Sequence, residues 1–295
     1  MESSTKPRIR SISLPSKLTP FPTRIKDDLN KLKTLVPLSS SVSNQSSFVC
    51  LVDLYLSVDN LLGSSRIQQV YLDQCKNKVL VEDVLVGSTG LLDSCSGLLE
   101  FLALMKKNIR TLQSALRRKG IAIDASSEAH ILDYVLYRKK AKKNMLHHLR
   151  SLKKMEREAE SCSVSGEDHH LSTVIGVLRE IVTATISVFR ALFFCLSGKG
   201  KLVKRFSLIS KLMQTSRPNC DKTQEITTDV DMIDVTLHSL RKSIKNNDSK
   251  SIDVRMVKER LLNLDHQIEG YEVGLHTVFR RLIQTRVFLL NILGN

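Results

Sequence analysis

Arg10-Ser11-Ile12-Ser13-Leu14-Pro15 is the first stretch of the chain whose residue types and spacing fit a defined chemistry. It matches R-S-x-S-x-P, the phosphoserine pattern bound by 14-3-3 proteins. Upstream basic residues suit a basophilic kinase. Phosphate on Ser13 would offer charged oxygens to an arginine cluster on the reader, and Pro15 would direct the chain out of the groove. The plain alternative is an inert solvated tail, because short motifs of this kind recur in Ser/Arg-rich segments.

A second chemistry is electrostatic. Arg138, Lys139, Lys140, Lys142, Lys143, Arg150, Lys153, Lys154 and Arg157 fall within twenty residues, against Glu156 alone. On a helix, Lys139, Lys143, Arg150, Lys154 and Arg157 share one face. The apolar seam of this helix (Ile131, Val135, Met145, Leu149, Leu152) is interrupted at its own heptad positions by Arg138 and Lys142. The middle of the helix is therefore expected to leave the core. The default reading is a solvated face with scattered ion pairs. Docking to anionic lipid headgroups also fits clustered cations. Lys139-Lys140-Ala141-Lys142 fits a minimal nuclear-import pattern, but no aromatic platform or recognised motif supports nucleic-acid binding.

Catalysis finds no such support, and neither catalytic nor metal-ligating residues are assigned. The pairs His147-His148 and His169-His170 are adjacent, so on a helix each pair diverges, and neither has a Cys or carboxylate at ligand spacing. There is no P-loop, GxSxG, GxGxxG or HExxH. The expectation is a non-enzymatic protein without a cofactor.

The elements that must carry these groups are helices. Val254, Val257, Leu261, Leu264, Ile268, Tyr271, Leu275, Val278, Leu282, Thr285, Leu289 and Ile292 alternate spacings of three and four, a heptad seam. Ile226, Val230, Ile233, Leu237, Leu240 and Ile244 repeat the pattern, with turn chemistry at Asn246–Ser249 between. This predicts an antiparallel hairpin whose second arm is about twice as long as its first. The overhang has a second apolar face, Phe279, Ile283, Val287 and Leu290, so partners are expected around it.

Upstream, a helix is expected from Thr23 to Pro37, another from Phe48 to Gly63, and a short one over 67–75. A long helix from Lys78 to Lys119 has the seam Val81, Val84, Ser88, Leu91, Cys95, Leu98, Leu102, Met105, Ile109, Leu112 and Leu116. Gly87, Gly90 and Gly97 mark a kink or a close helix contact there. The basic helix covers about 126–160, and a further helix 169–196 ends at Gly198-Lys199-Gly200. Ser165 and Asp168 fit a capping box before it. Residues 171–196 are long enough to span a membrane, but Arg179, Glu180 and Arg190 favour a buried bundle helix. Linkers are expected near 39–47, 161–167 and 215–225, and residues 1–22 as a flexible basic Ser/Pro-rich tail.

Composition agrees. Aromatics are 5%, Trp is absent, and five of six prolines precede residue 38. The net charge of +15 is concentrated in residues 1–37, with eight Lys/Arg against three acids, and in 138–157. An acidic partner should therefore meet one patch and a tail. Six cysteines without CxxC and no signal peptide predict an intracellular, reducing location, cytoplasmic first, with nuclear or peripheral-membrane alternatives and no secretion. The acid-poor first 26 residues also faintly resemble an organellar transit peptide.

Four blocks together resemble the plant-specific BYPASS-related family: RSISLPSK (10–17), GLLDSCSGLLEFLALMKKNIRTLQSALRRKG (90–120), YRKKAKKNMLHHLRSLKKME (137–156) and VFRRLIQTRVFLLNILGN (278–295). The resemblance implies an all-α protein linked to root and shoot development, and it supplies no catalytic or ligand residues. The expected architecture is all-α: an elongated bundle of long, mainly antiparallel helices over 23–295, with the C-terminal helix at its centre. The expected role is a regulatory adaptor, with a 14-3-3-type reader, another protein or an anionic membrane as partner. Seams this long also permit a homodimer.

Overall fold

With a single proline beyond residue 38, long stretches of chain meet no helix breaker, and heptad seams give the resulting helices a face to bury. A computed structural model describes residues 21–36, 41–62, 78–118, 125–161, 169–198, 228–246 and 254–294. These form α1 (Phe21–Leu35), α2 (Ser41–Leu62), α3 (Lys78–Arg118), α4 (Ala125–Ser161), α5 (His169–Ser197), α6 (Asp229–Asn246) and α7 (Val254–Gly294). No strand occurs among the described residues. At 1.5 Å per residue, α3 and α7 are each about 60 Å long. The segments 1–20, 37–40, 63–77, 119–124, 162–168, 199–227 and 247–253, and residue 295, lie outside the described residues. So do most of the expectations placed on them: the 67–75 helix, the Ser165–Asp168 box and the 215–225 linker. The expected 1–22 tail is corrected at Phe21 and Pro22, which open α1, and the 161–167 linker at Ser161, which closes α4. The 39–47 linker is corrected in part, because α2 already begins at Ser41.

The seams are buried as read. All eleven seam positions of α3 are buried, Leu91, Cys95, Leu98, Leu102, Met105 and Ile109 completely. On α7, Val257 through Leu289 are buried at every described seam position. One hydrophobic cluster runs from Ile25 on α1 to Leu289 on α7 and takes residues from every helix between. Each fully buried aliphatic side chain in it contributes about 1.5–3 kcal/mol.

Polar contacts give the directions. Arg110 Nε donates to Asp265 Oδ1 (3.1 Å) and Arg286 Nη1 donates to the Leu85 carbonyl (2.9 Å), so α3 and α7 run antiparallel. Phe48 packs edge-on against Tyr271 at 5.6 Å and Arg281 pairs with Asp59, so α2 runs parallel to α7. Gln267 Nε2 donates to Asp229 Oδ2 at 2.9 Å, which closes the expected α6–α7 hairpin of 18 and 41 residues. α7 thus touches α2, α3 and α6 along its seam. Its second apolar face is only partly covered: Phe279 packs on the core, whereas Ile283, Val287 and Leu290 are exposed.

α5 packs into the bundle. Gly176–Ser197 is long and apolar enough to cross a membrane, yet 61% of that window is buried inside the bundle. Arg179 Nη2 meets Asp83 Oδ2 at 2.7 Å, Arg190 pairs with Glu156, and Thr185 Oγ1 shares a 3.0 Å hydrogen bond with Tyr55 Oη.

The helices approach closely where side chains are missing. α3 is unbroken across its glycines. A Cβ at Gly90 would sit 2.6 Å from Met155 Sδ, and one at Gly97 would sit 2.4 Å from His148 Cε1, so of the two expectations it is the close contact that holds. Gly274 on α7 likewise faces the Phe48 ring, 2.3 Å from such a Cβ.

One turn away, Gly270 has nothing within 4 Å. Gly274→Ala should therefore destabilise by about 1–3 kcal/mol through overpacking. Gly270→Ala should stabilise by about 0.5–1 kcal/mol through helix propensity. Urea unfolding of the two variants checks both signs.

Candidate functional site

α4 carries the densest positive charge, and its geometry begins with the seam. Ile131, Tyr134, Met145, Leu149 and Leu152 are buried, and so, between them, are Arg138 (3% exposed) and Ala141. The seam runs through Tyr134, Arg138 and Ala141, so the middle of α4 stays in the core, contrary to the sequence expectation. The reason is that position 138 meets two complementary partners. Arg138 Nη1 donates to the Leu196 carbonyl (2.9 Å) and Nη2 to the Ser197 carbonyl (3.0 Å), two of the acceptors left bare at the C-terminal end of α5. Its Nε faces Asp234 Oδ1 at 3.1 Å on α6. Burial is the largest influence on this group and opposes its charge. The attraction and hydrogen bond of Asp234, with Tyr134 and Tyr137, outweigh it and hold the pKa above its ordinary value.

Local sequence builds the other half of this junction. Gly198 ends α5 at φ +72°, a conformation glycine adopts without strain, and a Cβ there would meet Asp231 Oδ1 at 2.6 Å. Thr228 caps α6: its N–H (3.1 Å) and hydroxyl (2.8 Å) donate to Asp231 Oδ2, and the Asp231 N–H donates back to Thr228 Oγ1 at 3.2 Å. This Thr-x-x-Asp signal at 228–231 was available in the sequence but was not read. Asp234 was missed as well, since nothing local distinguishes it from a surface acid.

Of the nine cations, then, Arg138 is structural, and Lys142 joins it with Nζ 3.1 Å from Asp234 Oδ2. Lys139, Lys140, Lys143, Arg150, Lys154 and Arg157 are exposed, and Lys153 is half-buried. Lys139, Lys143, Arg150, Lys154 and Arg157 follow one another at spacings of four, seven, four and three, a straight stripe about 27 Å long at 1.5 Å per residue. Within it, Lys154 Nζ lies 3.6 Å from Glu158 Oε1, an exposed pair of little energetic weight. His147 is also exposed on the outer side of α4. His148 is half-buried, stacked on Phe193 at 5.3 Å and fitted over Gly97, and burial is the main reason its pKa is lowered. The expected divergence is corrected: although His147 is exposed and His148 half-buried, their rings meet edge-to-face at 5.8 Å.

Arg10, Ser11, Ser13 and Pro15 lie outside the described residues. Among the described residues, no group of three or more His, Cys, Asp or Glu is placed to hold a metal ion.

The split within α4 has a direct consequence. Arg138→Met leaves Asp234 with Lys142 alone and uncaps α5, so it should cost about 3–5 kcal/mol. Lys139→Met, one residue away, should stay within about 0.5 kcal/mol of the parent. Denaturant unfolding of the two variants measures the contrast.

No curated protein and no solved structure matches the chain. The family model described as Protein BPS1 matches residues 47–292, from the start of α2's buried face to the end of α7, and membership of this family points to a role in plant development. The chain belongs to the BPS1 family, the BYPASS-related group that its sequence blocks resemble.

Proposed function

We propose that this chain is a non-enzymatic regulatory adaptor in plant root and shoot development, recruited through a phosphorylated Ser13 segment and docked through the exposed cations of α4. The observation that carries this reading is the stripe Lys139, Lys143, Arg150, Lys154 and Arg157, held outward on a helix whose opposite side is buried. Because the core fixes the rotation of α4, the cations act as one surface rather than as independent side chains, and a preorganised charged surface steers an anionic partner. The R-S-x-S-x-P motif around Ser13 supports the recruitment half, with a 14-3-3-type protein as reader.

The shape of the stripe favours a second reading. It is straight, about 27 Å long by helix rise, and carries no aromatic residue, which suits the headgroup plane of an anionic membrane. Each Lys or Arg near such a surface contributes about 1 kcal/mol and is screened by salt.

Sedimentation with vesicles separates the two readings. In the membrane form, full-length protein pellets with phosphatidylserine-containing vesicles at low salt and is released at high salt. It ignores neutral vesicles, and combined charge reversal at Lys139, Lys143 and Arg150 abolishes the binding. No binding to either vesicle rejects the membrane form and leaves an acidic protein as the partner, to be sought by crosslinking from α4. A Ser13 that carries no phosphate in plant tissue, read by mass spectrometry, removes the recruitment half.

A further inference from the structure

The cationic stripe of α4 has one long step, the seven residues from Lys143 to Arg150, and that step is not empty. His147 stands four residues after Lys143 and three before Arg150, and it is exposed. With it the row reads Lys139, Lys143, His147, Arg150, Lys154 and Arg157, at spacings of four, four, three, four and three. That is the unbroken period of one helix face. A histidine in such a row differs from its neighbours in one respect. Lysine and arginine keep their charge throughout the physiological range, whereas an imidazole gains one as the pH falls.

The residue beneath His147 decides how many protons the pair takes. The His148 ring meets the His147 ring edge-to-face at 5.8 Å, lies on Phe193 of α5 with 9° between the planes, and closes over Gly97 of α3. Burial first, and the neighbouring charge of His147 second, hold the His148 pKa below its ordinary value. A proton on the inner ring is therefore disfavoured, and the outer ring is the one placed to receive it. Of the other charged groups around the pair, Lys143, Arg150 and Lys154 lie along the row itself. Asp93 and Glu100, both exposed, stand within one turn of Gly97 on α3, and Glu100 partly offsets the burial of His148. On the inner side, Arg190 of α5 is held by Glu156, and Asp234 of α6 is held by Arg138 and Lys142.

We propose that His147 is the proton-dependent member of the α4 row, so that docking of an anionic partner takes up a proton and tightens as the pH falls. The inference rests on the docking role given above to this row and adds its regulation. An anion lying along the row favours the imidazolium over the neutral ring. By linkage, the protonated ring favours the bound anion to the same degree. His148 confines the change to a single charge.

Low-molecular-weight heparin, a polyanion, titrated calorimetrically into the full-length protein at about pH 7.5 and about pH 5.5, tests the proposal on either side of the imidazole range. The parent is expected to bind about fivefold more tightly at the lower pH, the effect of one added cation near an anionic surface. Between the two, the heat of binding should vary with the ionisation enthalpy of the buffer, as proton uptake requires. His147→Gln should bind as the parent does at the higher pH and lose most of the pH dependence. His147→Lys should bind at both pH values as tightly as the parent does at the lower one. His276→Gln, on α7, should behave as the parent. Because position 147 is exposed, its variants should keep the parent's unfolding midpoint. A pH dependence that survives His147→Gln overturns the proposal and leaves the row standing as a docking surface. Heparin binding that is absent, or that ignores joint neutralisation of Lys139, Lys143 and Arg150, overturns the docking role and the proposal with it.

Discussion

A guanidinium in the core governs how this bundle is assembled. Arg138 stands at a seam position of α4 where an aliphatic residue would normally pack, and an unpaired charge there would cost several kcal/mol. It is tolerated because the end of α5 offers two carbonyls and α6 offers Asp234. Those contacts fix three helices at once: the rotation of α4, the point where α5 stops, and the register of α6. Hydrophobic seams alone slide more easily, since one leucine layer resembles the next. A buried ion pair tends to contribute specificity rather than net stability. Here it selects which face of α4 meets water, so the cations beside it face outward.

Much of the architecture was legible because seam residues report their own burial. The spacing from Val81 to Leu116, and from Val257 to Leu289, needs no knowledge of a partner to be recognised, and every described position in those runs is buried. What escaped the sequence depended on partners distant in the chain. Arg138 looked like an interruption, because its acceptors lie at 196–197 and 234. Ile283, Val287 and Leu290 looked like a second buried face, yet they are exposed, because apolar periodicity shows what a face prefers and not whether a neighbour reaches it. Gly90 and Gly97 were read as a kink or a contact, and only Met155 and His148 on α4 decide between the two.

The candidate site was half legible for the same reason. Counting charge located α4, and helical spacing gave its face correctly for Lys139, Lys143, Arg150, Lys154 and Arg157. Counting could not separate Lys142, tied to Asp234, from Lys143, which is exposed. Family membership points to plant development as the setting, and the structure gives α4 an outward-facing row of cations.

The division of α4 into inward and outward cations is the point on which the functional reading rests. Amine-reactive footprinting of the native protein, resolved by mass spectrometry, measures it residue by residue. Lys139, Lys140 and Lys143 are exposed, whereas Lys142 is half-buried with its Nζ on Asp234. Labelling should be several-fold slower at Lys142 than at its three neighbours, and Asp234→Asn should narrow the gap. Equal rates at all four lysines in the folded parent would contradict the buried junction and, with it, the fixed orientation of the stripe.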